Sequence, residues 1–134
     1  MQKIKSLIYR NAALFAVLWT LIIFVLCATP GQYIPSANWL ELLSFDKFVH
    51  ASIFFTLTEL LFTVAIKYNK KTFDFILYFL FAVCYGASLE LMQAYCFSNR
   101  SADWKDMVAN TFGCVVGALL LKKLRVFYAK NLVE

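Results

Sequence analysis

The sequence predicts an all-α, polytopic membrane protein: a four-helix transmembrane bundle with a short interfacial segment in the first outer loop. Hydrophobic residues make up 62% of the 134 in the chain and mean hydropathy is +0.69, well above the roughly half-apolar norm of soluble domains. The excess is gathered into four long apolar runs, as spanning helices require. Basic residues fall between those runs and sort to alternate sides of a membrane when four spans are drawn. The length suits one domain, 1–134, and no Pro-, Gly- or Ser-rich linker or internal repeat divides it.

The first span covers residues 11–28. Its basic lead and apolar run have the form of a signal peptide, but it ends Val25-Leu26-Cys27-Ala28-Thr29-Pro30, a poor small-x-small cleavage site. Leu26 before Cys27 also spoils a lipoprotein reading, so retention as a membrane helix is expected. Pro30 and Pro35 then bound an outer loop. Within it, Trp39, Leu40, Glu41, Leu42 and Leu43 are expected to form a short helix on the membrane surface, a partial lid over the outer end. The second span covers 48–66 and the third 73–92. The fourth, 107–121, is short against the roughly 20 residues needed to cross about 30 Å of hydrocarbon. Trp104 anchors one end of it, and Lys122, Lys123 and Arg125 snorkel at the other.

Charge settles the count and the orientation. With both termini cytoplasmic, Lys3, Lys5, Arg10, Lys67, Lys70, Lys71, Lys122, Lys123, Arg125 and Lys130 lie inside, and only Lys47, Arg100 and Lys105 lie outside. That is a positive-inside distribution, and a three-span count destroys it. Glu41, Asp46, Glu90, Asp103 and Asp106 show the opposite trend. The net charge of +5 does not point to nucleic acid, because the cations are scattered singly or in pairs with no basic groove. The aromatic load, 14 Phe, 7 Tyr and 3 Trp, suits lipid-facing surface and interfacial anchors.

The outer helix ends carry a non-random polar set. The second span opens with Asp46, Lys47 and His50; the third ends with Glu90 and Gln93; Arg100 lies in the next loop. The fourth opens with Asp103, Asp106 and Asn110 and continues into Gly113 and Gly117. The 3-4-3-4 spacing from 103 to 117 puts those side chains on one helical face. Ala82, Gly86 and Glu90 likewise share a face. Small residues sit deep and polar ones shallow, and Ala82, Gly86, Ala109, Gly113 and Gly117 allow close helix approach. A bundle tight toward the cytosol, with a polar cup at its outer mouth, is expected. His50, Glu90 and Asn110 each stand about one turn inside their helix ends, near 5 to 6 Å deep.

Each residue has a plainer reading beside the functional one. Asp103 and Asp46 suit helix N-caps, with Asp106 at the capping-box position. Lys47 faces an unfavourable helix dipole, and so calls for a carboxylate or anionic ligand, unless it simply snorkels. His50 either bonds structurally to Glu90 or Asn110 or handles a ligand or proton. Glu90, an ionisable group below the interface, is expensive unless used or paired. Gln93 and Asn110 read as orienting hydrogen-bonders. Arg100 has the fork for a carboxylate or phosphate, or else pairs with Asp103 or Asp106. Glu59, mid-way along the second span, points away from the cup. It is read as a neutral carboxyl bonded to the first helix or to another protomer. Cys84 and Cys114 read as packing residues, and a disulfide between Cys27 and Cys96 is a minor alternative.

Asp46-Lys47-Phe48-Val49-His50, Glu90-Leu91-Met92-Gln93, Arg100 with Asp103 and Asp106, and Asn110-Thr111-Phe112-Gly113 with Gly117 together resemble the VanZ-like family. The resemblance spans roughly residues 30 to 121. It implies a multi-pass protein of the bacterial cell (inner) membrane, with those polar residues as signature positions. The family's founding member is associated with resistance to teicoplanin, a lipid-bearing glycopeptide, but no biochemical activity comes with the resemblance. Three function classes follow. The first is a cup binding a lipid head group, a lipid-linked wall precursor or a lipoglycopeptide. The second is a membrane enzyme on such a head group using His50 and Glu90. The third is an accessory subunit, or homo-oligomer, with a partner surface near Glu59. A divalent cation at Asp103 and Asp106 is compatible with the sequence but not implied by it.

Overall fold

The computed structural model describes residues 2–29, 45–96 and 103–132. The expected surface helix at 39–43, Pro30, Pro35 and Arg100 lie outside the described residues. The described chain forms α1 (Gln2–Arg10), α2 (Ala12–Ala28), α3 (Phe45–Lys67), α4 (Thr72–Tyr95) and α5 (Trp104–Leu132), with no strand among the described residues. Three helices, α3, α4 and α5, are long and apolar enough to cross a membrane, and α1 with α2 makes a fourth if that bent pair counts as one span.

The bend is where the structure departs from the sequence expectation. Residues 2–10 form a separate helix, set at 80° to α2. Lys3, Lys5 and Arg10 keep this segment out of hydrocarbon, while Ile4, Leu7 and Ile8 give it an apolar side. Asn11 marks the corner: its backbone leaves helical geometry at φ −110°. Its amide Nδ2 donates to the Leu7 carbonyl at 3.1 Å, covering an acceptor that the end of α1 leaves open. The uncharged α2 runs for 17 residues, about 25 Å of helix.

The α3–α4 turn is a Schellman stop. Asn69 adopts φ 47°, with Asn69 N–H on the Ile66 carbonyl and Lys70 N–H on that of Ala65, at 3.1 and 2.9 Å. Asp74 then caps α4, its Oδ2 accepting from the Lys71 N–H at 2.9 Å. No Gly or Pro interrupts residues 118–132, so α5 continues well past residue 121, where its apolar run ends.

α3 and α5 are the most closely packed pair. A Cβ on Gly113 would run into the Ala51 carbonyl oxygen and stand 2.9 Å from Phe55 N, so α5 meets α3 backbone to backbone. Gly86 of α4 faces the Phe54 ring and Cβ of Asn110. Around these contacts Ile23, Phe54, Leu57, Ala82, Leu89 and Cys114 form the buried core. Three hydrogen bonds pin α2 to the bundle: Trp19 Nε1 to the Ile53 carbonyl at 3.0 Å, Tyr85 Oη to that of Thr20 at 2.8 Å, and Gln93 Nε2 to that of Cys27 at 3.2 Å. The outer surfaces of α2, α4 and α5 expose residues such as Val17, Val25, Phe81 and Leu119, a belt suited to lipid and not to water.

The two ends of the bundle differ in charge. At one, Lys67 donates to the Arg10 carbonyl, Lys5 lies 4.5 Å above the Phe127 ring and Arg125 4.5 Å above that of Phe75. Tyr9 and Tyr128 pack there at 5.0 Å. The acidic cluster occupies the other.

Candidate functional site

α3 and α5 both begin at the acidic end, and α4 finishes there. Lys47, in the first turn of α3, holds Asp46 at 3.1 Å, Asp103 at 2.8 Å and also Asp106. One ammonium thus ties the start of α3 to the start of α5, and its dipole-opposed position is explained by these three carboxylates. Asp103 serves twice. Its Oδ1 caps α5 by accepting the Lys105 N–H at 2.9 Å, and its Oδ2 takes Lys47. The Lys47 hydrogen bond, and then the cap, hold the Asp103 carboxyl below the ordinary aspartate range.

One turn deeper stands His50. Its Nδ1 lies 3.1 Å from Oδ1 of Asn110 and 4.0 Å from Oε1 of Glu90. Its Nε2 faces Asp46 Oδ1 at 3.7 Å and Asp106 Oδ2 at 3.8 Å. Asn110 is buried, held by the approach of Gly86 and Gly113. Glu90 is the anomaly: it is 1% exposed, and neither carboxylate oxygen has a hydrogen-bond partner among the described residues. Such a group is costly unless something neutralises it.

The structure therefore brings Asp46, Lys47, His50, Glu90, Asp103, Asp106 and Asn110 into one cluster. Gln93, buried beside it, is turned to the Cys27 carbonyl and serves the α2–α4 joint. Ala82, Gly86, Ala109, Gly113 and Gly117 are all buried. Glu59 has one carboxylate oxygen against α5. Its Oε1 is buried without a hydrogen-bond partner among the described residues, 3.5 Å from where a Gly117 Cβ would stand. No disulfide joins Cys27 and Cys96. The sequence reading paired Asp103 with Asp106 as cation ligands, whereas the group with metal-ligand geometry is Asp46, His50 and Asp106. The Asp46–His50 spacing of four was a local signal for it; the third member needed the α3–α5 pairing. Just below, Met107, Thr111, Phe112 and Val115 line an open apolar groove of about 400 Å³ along α5.

Fold and site together define a helical membrane protein whose spans carry at one end a cluster of carboxylates, of which Glu90 is buried. The chain matches the VanZ/LLP1 family model over residues 2–128 and belongs to that family. Searches of curated proteins and of solved structures return no significant match.

Proposed function

We propose that the cluster binds the head group of a lipid-linked or amphipathic ligand at the outer face of the bacterial cell membrane, with both termini inside. Glu90 carries this reading. A fully buried carboxylate without a hydrogen-bond partner among the described residues, beneath a rim of charged groups, is a cost that a ligand's hydroxyl, amide or amine donors offset. The groove from Met107 to Val115 begins one residue after Asp106 and suits the ligand's apolar portion. The distribution of Lys and Arg supports the orientation. Lys47 is committed to carboxylates, so this reading assigns the contact with an anionic group to Arg100, whose guanidinium suits a phosphate or carboxylate. Wall precursors and lipoglycopeptides are the ligand classes, and altered envelope composition or glycopeptide susceptibility is the cellular consequence. The test is binding of a panel of lipid-linked wall precursors and lipoglycopeptides to reconstituted protein. Glu90→Ala and Arg100→Ala should each weaken binding at least tenfold; unchanged affinity in both sinks the assignment.

A second reading, catalysis on such a head group, draws on the position of His50 between Asn110 and two aspartates, which suits a base with its orienters. Turnover of a labelled lipid-linked substrate, lost in His50→Ala, supports it. Binding without product counts against it.

A further inference from the structure

Two of the three aspartates that Lys47 holds, Asp46 and Asp106, each turn one oxygen away from it. Lys47 takes Oδ2 of Asp46 and Oδ1 of Asp106. The remaining oxygens, Oδ1 of Asp46 and Oδ2 of Asp106, both turn to Nε2 of His50, at 3.7 and 3.8 Å. All three atoms lie within 4.8 Å of one another. Those separations are too long for hydrogen bonds. On the other side of the ring the Asn110 carbonyl oxygen stands 3.1 Å from Nδ1. That oxygen only accepts, so Nδ1 donates to it, and metal binding uses the form of the ring with its lone pair at Nε2. A lone pair and two carboxylate oxygens therefore converge on one point.

Two independent observations call for a cation there. Glu90 is 1% exposed, its oxygens lack partners among the described residues, and Oε1 is directed at the same imidazole from 4.0 Å. The charge is also uneven: Asp46, Asp103 and Asp106 share the ammonium of Lys47, and the Glu90 carboxyl stands beside them.

We propose that Asp46 Oδ1, His50 Nε2 and Asp106 Oδ2 bind a first-row divalent transition-metal cation, Zn²⁺ or Mn²⁺. An imidazole with two carboxylates and no thiolate favours these ions over Mg²⁺ and Ca²⁺, which prefer all-oxygen sites. Metal–ligand bonds near 2.1 Å set the ligand atoms roughly 3.0 to 3.5 Å apart, so each aspartate oxygen closes on Nε2 by a few tenths of an ångström from 3.7 and 3.8 Å, and the two carboxylates, each now within 4.8 Å of the other, draw together to the same spacing. The surroundings suit a metal site: Asn110 fixes the ring and its tautomer, and Lys47 orients both carboxylates from behind. With three protein ligands, coordination positions stay open to water or to an anionic head group, for which Lys47 itself is already occupied. The proposal stands on this triad and does not require the head-group reading.

Full-length protein in phosphatidylcholine nanodiscs, with metal alone as the probe, tests it. Zn²⁺ is titrated in competition with a chromophoric chelator, and Co²⁺ is followed by its visible absorption. Wild type should bind one equivalent. His50→Ala and Asp106→Asn should each weaken Zn²⁺ at least tenfold and change the Co²⁺ bands, while Asp74→Asn at the far end leaves both unchanged. Asp46→Asn replaces either variant that loses the wild-type circular dichroism. No saturable binding by wild type at millimolar metal, or a Co²⁺ spectrum unaltered in His50→Ala, overturns the proposal. Metal binding in a protein that takes no lipid-linked ligand supports this site and removes the head-group reading alone.

Discussion

Gly113→Ala isolates the contact that brings the two halves of the site together. The added Cβ would collide with the Ala51 carbonyl oxygen and stand 2.9 Å from both Ala51 C and Phe55 N. These are backbone atoms of α3, so no rotamer change relieves the clash and the helices must part. Overpacking costs about 1 to 3 kcal/mol, and a backbone-to-backbone clash belongs at the upper end. Replacing Gly by Ala within a helix returns about 1 kcal/mol of propensity. Gly113 has no positive φ to lose. The net expectation is a loss of about 1 to 2 kcal/mol, a roughly five- to thirtyfold fall in the folded-to-unfolded ratio. Reversible unfolding in mixed micelles, with denaturing detergent as the variable, measures it. Gly86→Ala is the internal comparison, because its nearest neighbour is the edge of the Phe54 ring at 2.9 Å, a side chain able to shift; it should lose less. A Gly113→Ala protein as stable as wild type refutes the close α3–α5 approach on which the site's geometry depends.

Three other outcomes follow from the same structure. Glu90→Gln removes a buried charge without changing shape, so it should stabilise the fold by about 1 to 3 kcal/mol in micelle unfolding while weakening ligand or metal binding. Because the Asp103 carboxyl titrates below its ordinary range, its contribution to stability is complete above the unfolded-state value, near pH 4, and is lost as pH falls through the folded-state value. Melting temperatures of wild type and Asp103→Asn should therefore differ at neutral pH and converge in acid. Trp19→Phe keeps an aromatic side chain but deletes the 3.0 Å bond to the Ile53 carbonyl and one of the two fused rings, and should cost at least about 0.5 to 1.5 kcal/mol by the same unfolding assay.

Periodicity carried much of this arrangement because a helix fixes which residues share a face. Asp106, Asn110, Gly113 and Gly117 could be put on one stripe of α5 from spacing alone. Spacing does not say which helix that stripe meets, so the union of Asp46 and His50 with Asp106 is a property of the α3–α5 pairing. Residues 2–10, which enter the sequence reading only as the basic lead of the first span, form a helix for a different reason. Their lysines and arginine mark the limit of hydrocarbon, but Ile4, Leu7 and Ile8 still recur at helical spacing. The end of a hydrophobic run was likewise not the end of a helix at residue 121, since Lys122, Lys123 and Arg125 are good helix formers. Gln93 shares the depth of Glu90 but turns to the Cys27 carbonyl, an acceptor exposed by the end of α2 that no side-chain motif announces.

Stability alone does not account for the composition of the acidic end. Closing α3 on α5 needs Gly113, and anchoring their first turns needs no more than a cap and one ion pair. Ion clusters placed in a poorly solvated setting return little net stability, and apolar replacements of similar volume often do as well or better. Yet here one lysine is surrounded by three aspartates, a histidine turns its Nε2 toward two of them, and a fourth carboxylate is buried without a hydrogen-bond partner among the described residues. Each departure runs against what a packed bundle prefers, and all of them converge on His50. Local rules broken together at one place are the mark of a site held ready for something other than the chain itself. The excess of negative charge there indicates that what arrives carries positive charge or brings donors.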